Sequence, residues 1–311
     1  MPFFTVIIPL YNKEIYVEKA LQSIFNQTFK DFEILIVNDA STDESVKKVI
    51  PFVSEKIKLI HHSQNLGLSA ARNTGIKNAN SNYITYLDAD DTWKPTFLET
   101  IYRLINNFPE AQIFATNYVE VYNNKTFIPH NGSETLVADF EGIINFFKIN
   151  LKQGIYNHGS VCFHKTVFET VGFYVESISF SEDLDFNIRA NIHFKLVYST
   201  KRLMEYNMDI DNQLTRKSLK NNTIPDFDKY EVDAKNNTDL KKYLDFERYV
   251  LSKRLKISND IRWKDIAKQI DPENLNSKQR ILLNLPVFVL KWIRKTKFLF
   301  IKNGIKFSTY K

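Results

Sequence analysis

Three carboxylates fall within four residues where the run Tyr83-Ile84-Thr85-Tyr86-Leu87 meets Asp88-Ala89-Asp90-Asp91. Aspartates spaced i, i+2 at the end of a strand can set oxygens around one hard divalent cation. Such an ion takes carboxylates and keeps waters or phosphate oxygens as its other ligands. The same residues also read as a strand-to-helix turn, because Pro95 can open a helix and acids gather at its positive end. Two further acidic positions bear on the choice: Asp39, after the apolar run 32–37, and Glu182-Asp183, at the head of a segment with helical spacing. Arg72 can pair with a diphosphate or hold a carboxylate in place. Tyr11, just past the first apolar run, can supply an apolar face. Taken singly, Asp39 reads equally as a cap or turn residue and Arg72 as a surface ion pair. Their convergence decides between the readings.

The elements around them supply that convergence. Residues 4–8 read as a first strand, stopped by Pro9. Val17, Ala20, Leu21, Ile24 and Phe25 follow at helical spacing. Residues 32–37 are a second strand, after which Ser41 or Thr42 can cap a helix to about Phe52. Residues 57–61 form a third strand. The loop Asn65-Leu66-Gly67 then leads into a helix over about 69–80, and 83–87 is the fourth strand. Four strands alternating with helices predict an α/β fold with a parallel sheet and right-handed crossovers. Ligands of such sheets sit at the carboxyl edge of the strands, which Asp39, Asp88 and Asp90 share. Beyond Pro95 the pattern gives a helix to about 107, a strand over 113–122 and turns at 123–125 and 130–132. Residues 111–164 then mix short strands with one helix near 140–150. A helix beginning at Ser181 carries Leu184, Ile188 and Ile192, and residues 194–199 close as a strand. Charged helical segments follow from Asp226.

A chain of 311 residues with 43% hydrophobic and 25% charged content is a soluble globular protein large enough for one α/β domain and an appendage. Its single cysteine, Cys162, excludes an intramolecular disulfide and fits a reducing compartment. Met1-Pro2-Phe3-Phe4-Thr5 lacks the basic and hydrophobic regions of a signal peptide, and no apolar run is long enough to predict a spanning helix.

Six motifs in order are similar to glycosyltransferase family 2. They are Thr5-Val6-Ile7-Ile8-Pro9-Leu10-Tyr11-Asn12, Ala20-Leu21-Gln22-Ser23-Ile24-Phe25-Asn26-Gln27-Thr28, and Val37-Asn38-Asp39-Ala40-Ser41-Thr42-Asp43. Then come Asn65-Leu66-Gly67-Leu68-Ser69-Ala70-Ala71-Arg72-Asn73-Thr74-Gly75, Leu87-Asp88-Ala89-Asp90-Asp91, and Ser181-Glu182-Asp183-Leu184-Asp185-Phe186. The resemblance covers about residues 4–215. It implies a GT-A fold, with a mostly parallel Rossmann-like sheet, and inverting transfer of one sugar from a nucleotide-sugar (a UDP-sugar foremost) with Mg²⁺ or Mn²⁺. It divides the chain into a catalytic domain over 1–215 and a helical, basic extension over 216–311. Within the first, about 1–110 is the nucleotide-sugar half and 111–215 the acceptor half. It assigns Pro9, Tyr11, Asn12, Asp39, Arg72 and Asp88 to the nucleotide-sugar, Asp90 to the metal with Asp88 as a second candidate, and Asp183 to the acceptor proton. Glu182, His158 and Trp93 fall on the acceptor side, His158 being equally a structural histidine and Trp93 equally a core residue.

Two departures stand out. Asn38-Asp39-Ala40-Ser41 replaces the family's Asp-Asp-Gly-Ser, which is tolerable if the backbone at Ala40 does not need positive φ. Tyr206-Asn207-Met208-Asp209 replaces a Tyr-Arg-x-His segment, making Asp209 a candidate hard ligand in place of histidine. The Gln-x-x-Arg-Trp signature of processive members is missing, which favours single addition.

The charge is uneven. Between 278 and 311 lie nine lysines and arginines and no acid, so the +6 of the whole chain leaves −3 for the rest. The tail mixes those cations with Trp292, Phe288, Phe298 and long aliphatics, the signature of a segment lying in a membrane interface. A helix packed on the body is the alternative; nucleic acid is not the expected partner, because the aromatics sit among aliphatics. The setting implied is surface-polysaccharide assembly on a glycan or lipid-linked acceptor, by an enzyme peripheral to the inner face of the cytoplasmic membrane. A nucleotidyltransferase would carry a glycine-rich phosphate loop after its first strand, where this chain has Pro9-Leu10-Tyr11-Asn12. A nucleotide-sugar or glycan-binding module without turnover is the non-enzymatic rival.

Overall fold

A computed structural model of the chain describes residues 1–210 and 219–302. The expected boundary at 215/216 and the 303–311 end of the basic tail lie outside the described residues. The first half alternates as the sequence predicts: β1 (Phe4–Leu10), α1 (Val17–Phe25), β2 (Phe32–Asn38), α2 (Ser45–Val49), β3 (Ile57–His61), α3 (Leu68–Asn78) and β4 (Tyr83–Tyr86). Next come β5 (Thr92–Trp93), α4 (Phe97–Asn107), β6 (Ile113–Tyr122), β7 (Lys125–Phe127), β8 (Glu141–Ile144) and α5 (Phe146–Ile149). β9 (Val161–His164), α6 (Lys165–Val171), α7 (Glu182–His193) and β10 (Leu196–Asn207) complete the sheet and its cover. The extension holds α8 (Glu231–Ala234), α9 (Thr238–Ile257), α10 (Trp263–Lys268), α11 (Ser277–Asn284) and α12 (Val287–Lys302).

The strands line up as β3-β2-β1-β4-β9-β6-β10-β5, with β7 on β6 and β8 on β10. From β3 to β4 every pairing is parallel, and β6 and β10 are also parallel, while β9 enters antiparallel between β4 and β6. The chain winds outward from β1 through β2 to β3, then returns to place β4 on the other side of β1. That reversal opens a crevice beyond the carboxyl ends of β1 and β4, the place where open α/β sheets hold ligands. All seven residues of β1 are buried, as a strand covered on both faces must be. One cover is α1 and α4, packed on Val6, Ile8 and Phe114. On the other face Ile7, Ile84 and Phe163 share a cluster with Ile76 of α3, Phe186 of α7, and Leu240, Tyr243 and Leu244 of α9. The extension therefore shares the sheet's own core.

Several expectations change at element ends. β1 does not stop at Pro9 but runs to Leu10, paired with β2 throughout. The Leu10 carbonyl accepts from Asp39 on the β2 side and the Ile7 carbonyl from Leu87 on the β4 side. By alternation the missing Pro9 N–H falls on the β4 side, past Tyr86, where no ladder bond is lost. Neither Ser41 nor Thr42 caps a helix. Ser41 Oγ accepts from the Asn12 amide, Thr42 donates its amide to Asn12 Oδ1, and Asp43 receives the Ser45 amide instead. Residues 141–144 are a strand, leaving one helical turn at α5. β10 continues eight residues past the expected end at 199, because irregular pairing near Arg202 lets it follow β6 to Val121.

The condition on which alanine at position 40 would be cost-free does not hold, because the backbone there is left-handed, with φ at 58°. A left-handed conformation costs an L-residue ~1–2 kcal/mol, against which the extra freedom of glycine in the unfolded chain returns ~0.4–1 kcal/mol. Ala40→Gly is therefore expected to raise stability by ~0.5–1 kcal/mol, read as a higher urea midpoint with unchanged slope.

Candidate functional site

Each acidic motif is delivered by a turn or helix mouth that the sheet fixes. β4 ends at Tyr86, and the Asp91 amide closes the following turn onto the Asp88 carbonyl at 3.0 Å. Asp91 points inward, buried, its Oδ1 accepting from the Asn207 amide at 2.8 Å, which ties the end of β10 to this turn. Its Oδ2 has no partner. Burial, with Asp90 and Asp88 adding to it, pushes the Asp91 carboxyl well above its ordinary range. Asp90 is raised by burial and by Asp88 against the pull of Lys13, whose Nζ stands 2.5 Å from Asp90 Oδ2. The turn thus carries more negative charge than its surroundings neutralise.

Arg72 joins this turn to a helix more than a hundred residues away. Its guanidinium, 2% exposed, donates from Nη1 to Glu182 Oε1 at 2.9 Å and from Nη2 to Asp88 Oδ1 at 3.4 Å. Burial works against the charge, but Asp88 and Glu182 outweigh it and the group stays cationic. The rings of Tyr86 and Tyr174 lie 6.0 and 5.6 Å from its centre. Gly75 lets α3 sit close enough on β1 to present this arginine, since a Cβ there would come within 2.4 Å of Ile7. Glu182 itself is raised by burial and the adjacent Asp183, against Arg72. Asp183 accepts its neighbour Leu184's amide at 2.9 Å and faces the same cleft.

That cleft has a volume of about 910 Å³ and brings together nearly all residues singled out from the sequence: Pro9, Tyr11, Asn12, Asp39, Arg72, Asp88, Asp90, His158, Glu182 and Asp183. Tyr11 is 45% exposed, its ring free to meet a ligand. Asn12, at φ 51°, braces residues 41 and 42. Asp39 is buried, and its carboxylate accepts the Leu66 and Gly67 amides at 2.8 Å each while contacting His62 at 2.8 Å. Most of its capacity therefore goes to holding the 62–67 loop. His158 is buried with Nε2 2.5 Å from the Tyr174 hydroxyl, and burial, aided by Arg72, pushes its ring well below the usual range, so it is neutral.

Two expected residues do not reach the cleft. Trp93 is buried against Phe97, its indole N–H donating to the Gly159 carbonyl at 2.6 Å; it braces the segment bearing His158 from behind. Asp209 is exposed just beyond β10, its amide on the Asn207 side chain. Tyr206, three residues earlier, does line the cleft. The sequence reading missed Lys13, Tyr156, Asn187 and Glu247, which also line it. Lys13 adjoined a recognised motif and could have been found there. Glu247 could have been suspected as a lone acid in an otherwise aromatic and aliphatic helix face.

A sequence profile described as Glycosyl transferase family 2 matches residues 5–172. The chain is 44% identical over 115 residues to "Glycosyltransferase GlyA" of Streptococcus pneumoniae, covering 37% of this chain and 16% of that protein. It is 27% identical over 228 residues to "Putative glycosyltransferase EpsH" of Bacillus subtilis, covering 69% of this chain and 63% of that one. The chain thus spans less than two thirds of the length of either relative. Among solved structures, S. aureus TarS 1–349 in complex with UDP-GlcNAc superposes with a TM-score of 0.61 at 17% identity, over 90% of this chain and 79% of that one. The shared architecture is the GT-A fold.

Removing the buried cation leaves Asp88 and Glu182 facing each other unpaired. Arg72→Met is expected to cost ~3 kcal/mol in urea unfolding at neutral pH, the usual scale for breaking a buried pair. Because the Glu182 pKa is raised in the fold, the deficit should shrink on acidification, as that carboxyl takes up a proton.

Proposed function

The chain belongs to glycosyl transferase family 2, and from that premise we propose that it moves a single sugar from a nucleotide-sugar, with inversion, onto a hydroxyl of a glycan or lipid-linked acceptor. One observation carries the proposal: Arg72 bridges Asp88 and Glu182 within one cleft, which Asp90, two residues past the first, and Asp183, next to the second, also line. Donor chemistry and acceptor chemistry can therefore meet in one space. The UDP-GlcNAc held by TarS, whose fold is similar, supports a UDP-sugar as donor. Tyr11 would face the base, Asp39 would accept from it with its remaining lone pair, and Pro9 and Asn12 would shape the turn beneath it.

In the proposed reaction the acceptor hydroxyl gives its proton to Asp183 as its oxygen attacks the anomeric carbon. The bond to the nucleoside diphosphate breaks on the opposite face and its electron pair leaves with the diphosphate. The transition state has oxocarbenium character. Among the described residues no three His, Cys, Asp or Glu side chains form a complete metal cage. The donor set nevertheless suits Mg²⁺ or Mn²⁺. Asp90 and Asp88 offer hard oxygens, Asp91 keeps an orphaned buried oxygen, and the raised carboxyls mark negative charge that a cation relieves. Asp90 would hold the ion with Asp88 beside it, and the ion would neutralise charge developing on the leaving diphosphate. Lys13 supplies the local positive charge that Asp90 already contacts.

We further propose attachment to an anionic membrane face, the setting of surface-glycan assembly on the cytoplasmic side. No helix among the described residues is long and apolar enough to cross a membrane. α12 instead divides its faces. Leu290 and Ile293 pack onto Phe246 and Tyr249 of α9, while Phe288 and Trp292 are 73% and 66% exposed beside Lys291, Arg294 and Lys295. Exposed aromatics flanked by cations fit the lipid interface.

Two experiments test these readings. A UDP-sugar panel with Mn²⁺ and no acceptor should give slow release of UDP from one donor, abolished in Asp90→Ala. With acceptor present, Asp183→Asn should lower kcat ~10²–10⁴-fold. No donor bound or turned over would sink the donor-site reading. Vesicles containing phosphatidylserine should bind the protein and shift Trp292 emission to the blue. Replacing Lys291, Arg294 and Lys295 by Gln should weaken binding by ~1 kcal/mol per charge. Equal binding to neutral vesicles would argue against an electrostatic attachment.

A further inference from the structure

The cleft is wider than its donor chemistry needs, and its far wall belongs to the C-terminal extension. Tyr243, Phe246, Glu247, Val250, Leu251 and Arg254 of α9 all line it. Their spacing of i, i+3, i+4, i+7, i+8 and i+11 is one continuous helix face. Such a face, aromatic and aliphatic but for Glu247 and, at its end, Arg254, would ordinarily be covered entirely by core side chains. Here it borders open space opposite Asp183. Phe146 lies 5.3 Å from the Tyr243 ring and 5.7 Å from Tyr156, extending the aromatic surface across α5. Asn187, on α7 one turn past Asp183, lines the same space with a buried Oδ1 that has no partner. Arg254 stands at one end with its guanidinium 5.3 Å from the Phe180 ring.

We propose that this face of α9, with Glu247 at its centre, is the acceptor subsite of the cleft: it binds the sugar presenting the reacting hydroxyl, and Glu247 bonds a second hydroxyl of that sugar. The proposal rests on the transferase reading above and adds the class of group recognised and the residues that recognise it. Aromatic rings beside a few polar groups are what a pyranose needs, since it has apolar C–H faces and a rim of hydroxyls. Glu247 suits the rim. Burial pushes its carboxyl up to about 8, with Asp183 adding to the effect and Tyr243 and Arg254 opposing it. The titratable and charged groups around it are thus Tyr243 and Arg254 on its own helix, Asp183 on α7 and, past Tyr243, Tyr156. At neutral pH Glu247 is mostly protonated and can both donate to and accept from a hydroxyl. It becomes an anion beside Asp183 as pH rises through about 8. A neutral acid in this place lets Asp183 alone carry the negative charge near the acceptor.

The test is binding of simple acceptor mimics to the enzyme with its donor side filled. Saturation-transfer NMR would use the methyl β-glycosides of glucose, galactose and N-acetylglucosamine, in the presence of UDP and Mg²⁺. At least one glycoside should bind wild type at neutral pH. Glu247→Ala should weaken it at least tenfold while UDP affinity stays within twofold. Glu247→Gln, which keeps the shape and the neutral state, should bind within about threefold of wild type. Wild-type affinity should fall as pH rises through about 8, and Glu247→Gln should lack that fall. Binding by none of the glycosides with UDP in place overturns the proposal, as does a Glu247→Ala variant that binds like wild type or an alkaline loss that persists in Glu247→Gln. Failure of UDP itself to bind overturns the donor-site reading instead, and this inference with it. Folding of each variant is read independently from its urea midpoint.

Discussion

A guanidinium buried to 2% exposure must be surrounded by anions or it cannot remain charged, and Arg72 meets that constraint with two carboxylates from distant parts of the chain. Asp88 comes from the turn after β4 and Glu182 from the mouth of α7. The arginine rides on α3, which Gly75 allows to lie against the central strand. Three elements are therefore fixed to one charged group whose planar fork prescribes direction as well as distance. Tyr86 and Tyr174 under the guanidinium fill the remaining space, and Tyr174 in turn reaches His158. The position of the candidate base relative to the acidic turn after β4 follows from this one ion cluster, because Asp183 and Asp90 are close chain neighbours of Arg72's two partners.

Backbone strain gathers near the same cleft. Asn12, Ala40 and Ser181 all have positive φ, and each sits in a loop at the mouth of the cleft. Positive φ in non-glycine residues persists only where surroundings over-determine it. Asn12 and the loop after Ala40 hold each other through residues 41 and 42, and Asp39, just before Ala40, is itself fixed by the amides of Leu66 and Gly67. Negative charge is concentrated in the same way. Burial raises both Asp90 and Asp91, with Asp88 adding to the first and Asp90 and Asp88 to the second, while Lys291, Arg294 and Lys295 sit on α12, which packs on α9 away from the sheet's core. The sheet-bearing body and the tail are thus electrostatically distinct, the first carrying a buried acidic turn and the second a cluster of exposed cations.

The nucleotide half was legible because strands buried on both faces spell themselves as unbroken apolar runs and their crossovers have one hand. Asp39, Asp88 and Asp90 could be placed on one edge from that alone. What stayed hidden was set by contacts between distant residues. Nothing local in Thr92-Trp93 shows that the indole turns inward to the Gly159 carbonyl rather than toward a sugar. Ala40 reads as an ordinary residue until its loop is seen braced by Asn12 and Asp39. The segment ending in Asp209 resembled a metal-binding strand end, but in the fold its contribution to the turn is the Asn207 backbone amide on Asp91, which any residue type could supply. Glu247 could be suspected as an acid on an apolar helix face, but its nearness to Asp183, on a different helix, is a tertiary fact that no local pattern shows.

The two sides of the cleft are built by different physics, and this bears on how such a protein can change its substrate. The donor side consists of turns at the ends of strands, where a one-residue slip would turn the ladder's side chains to the wrong face. The far wall is a single helix face, and α9 is anchored chiefly by residues off that face. Arg248, buried to 1%, pairs with Asp228 at 2.9 Å, Glu231 at 2.6 Å and Asp245 at 3.2 Å. Asp245, wholly buried, also takes Lys241 at 3.1 Å and the Asn274 amide at 2.8 Å. Leu244, Leu251 and Leu255 fasten the helix to the sheet, and Phe246 and Tyr249 fasten α11 and α12 to the helix. Positions 247 and 254 lie outside those apolar clusters and can vary in size and polarity without disturbing either anchor. A fold divided in this way can keep the turns at its strand ends fixed while these positions of the α9 face change, so that the proposed acceptor wall varies without the donor side.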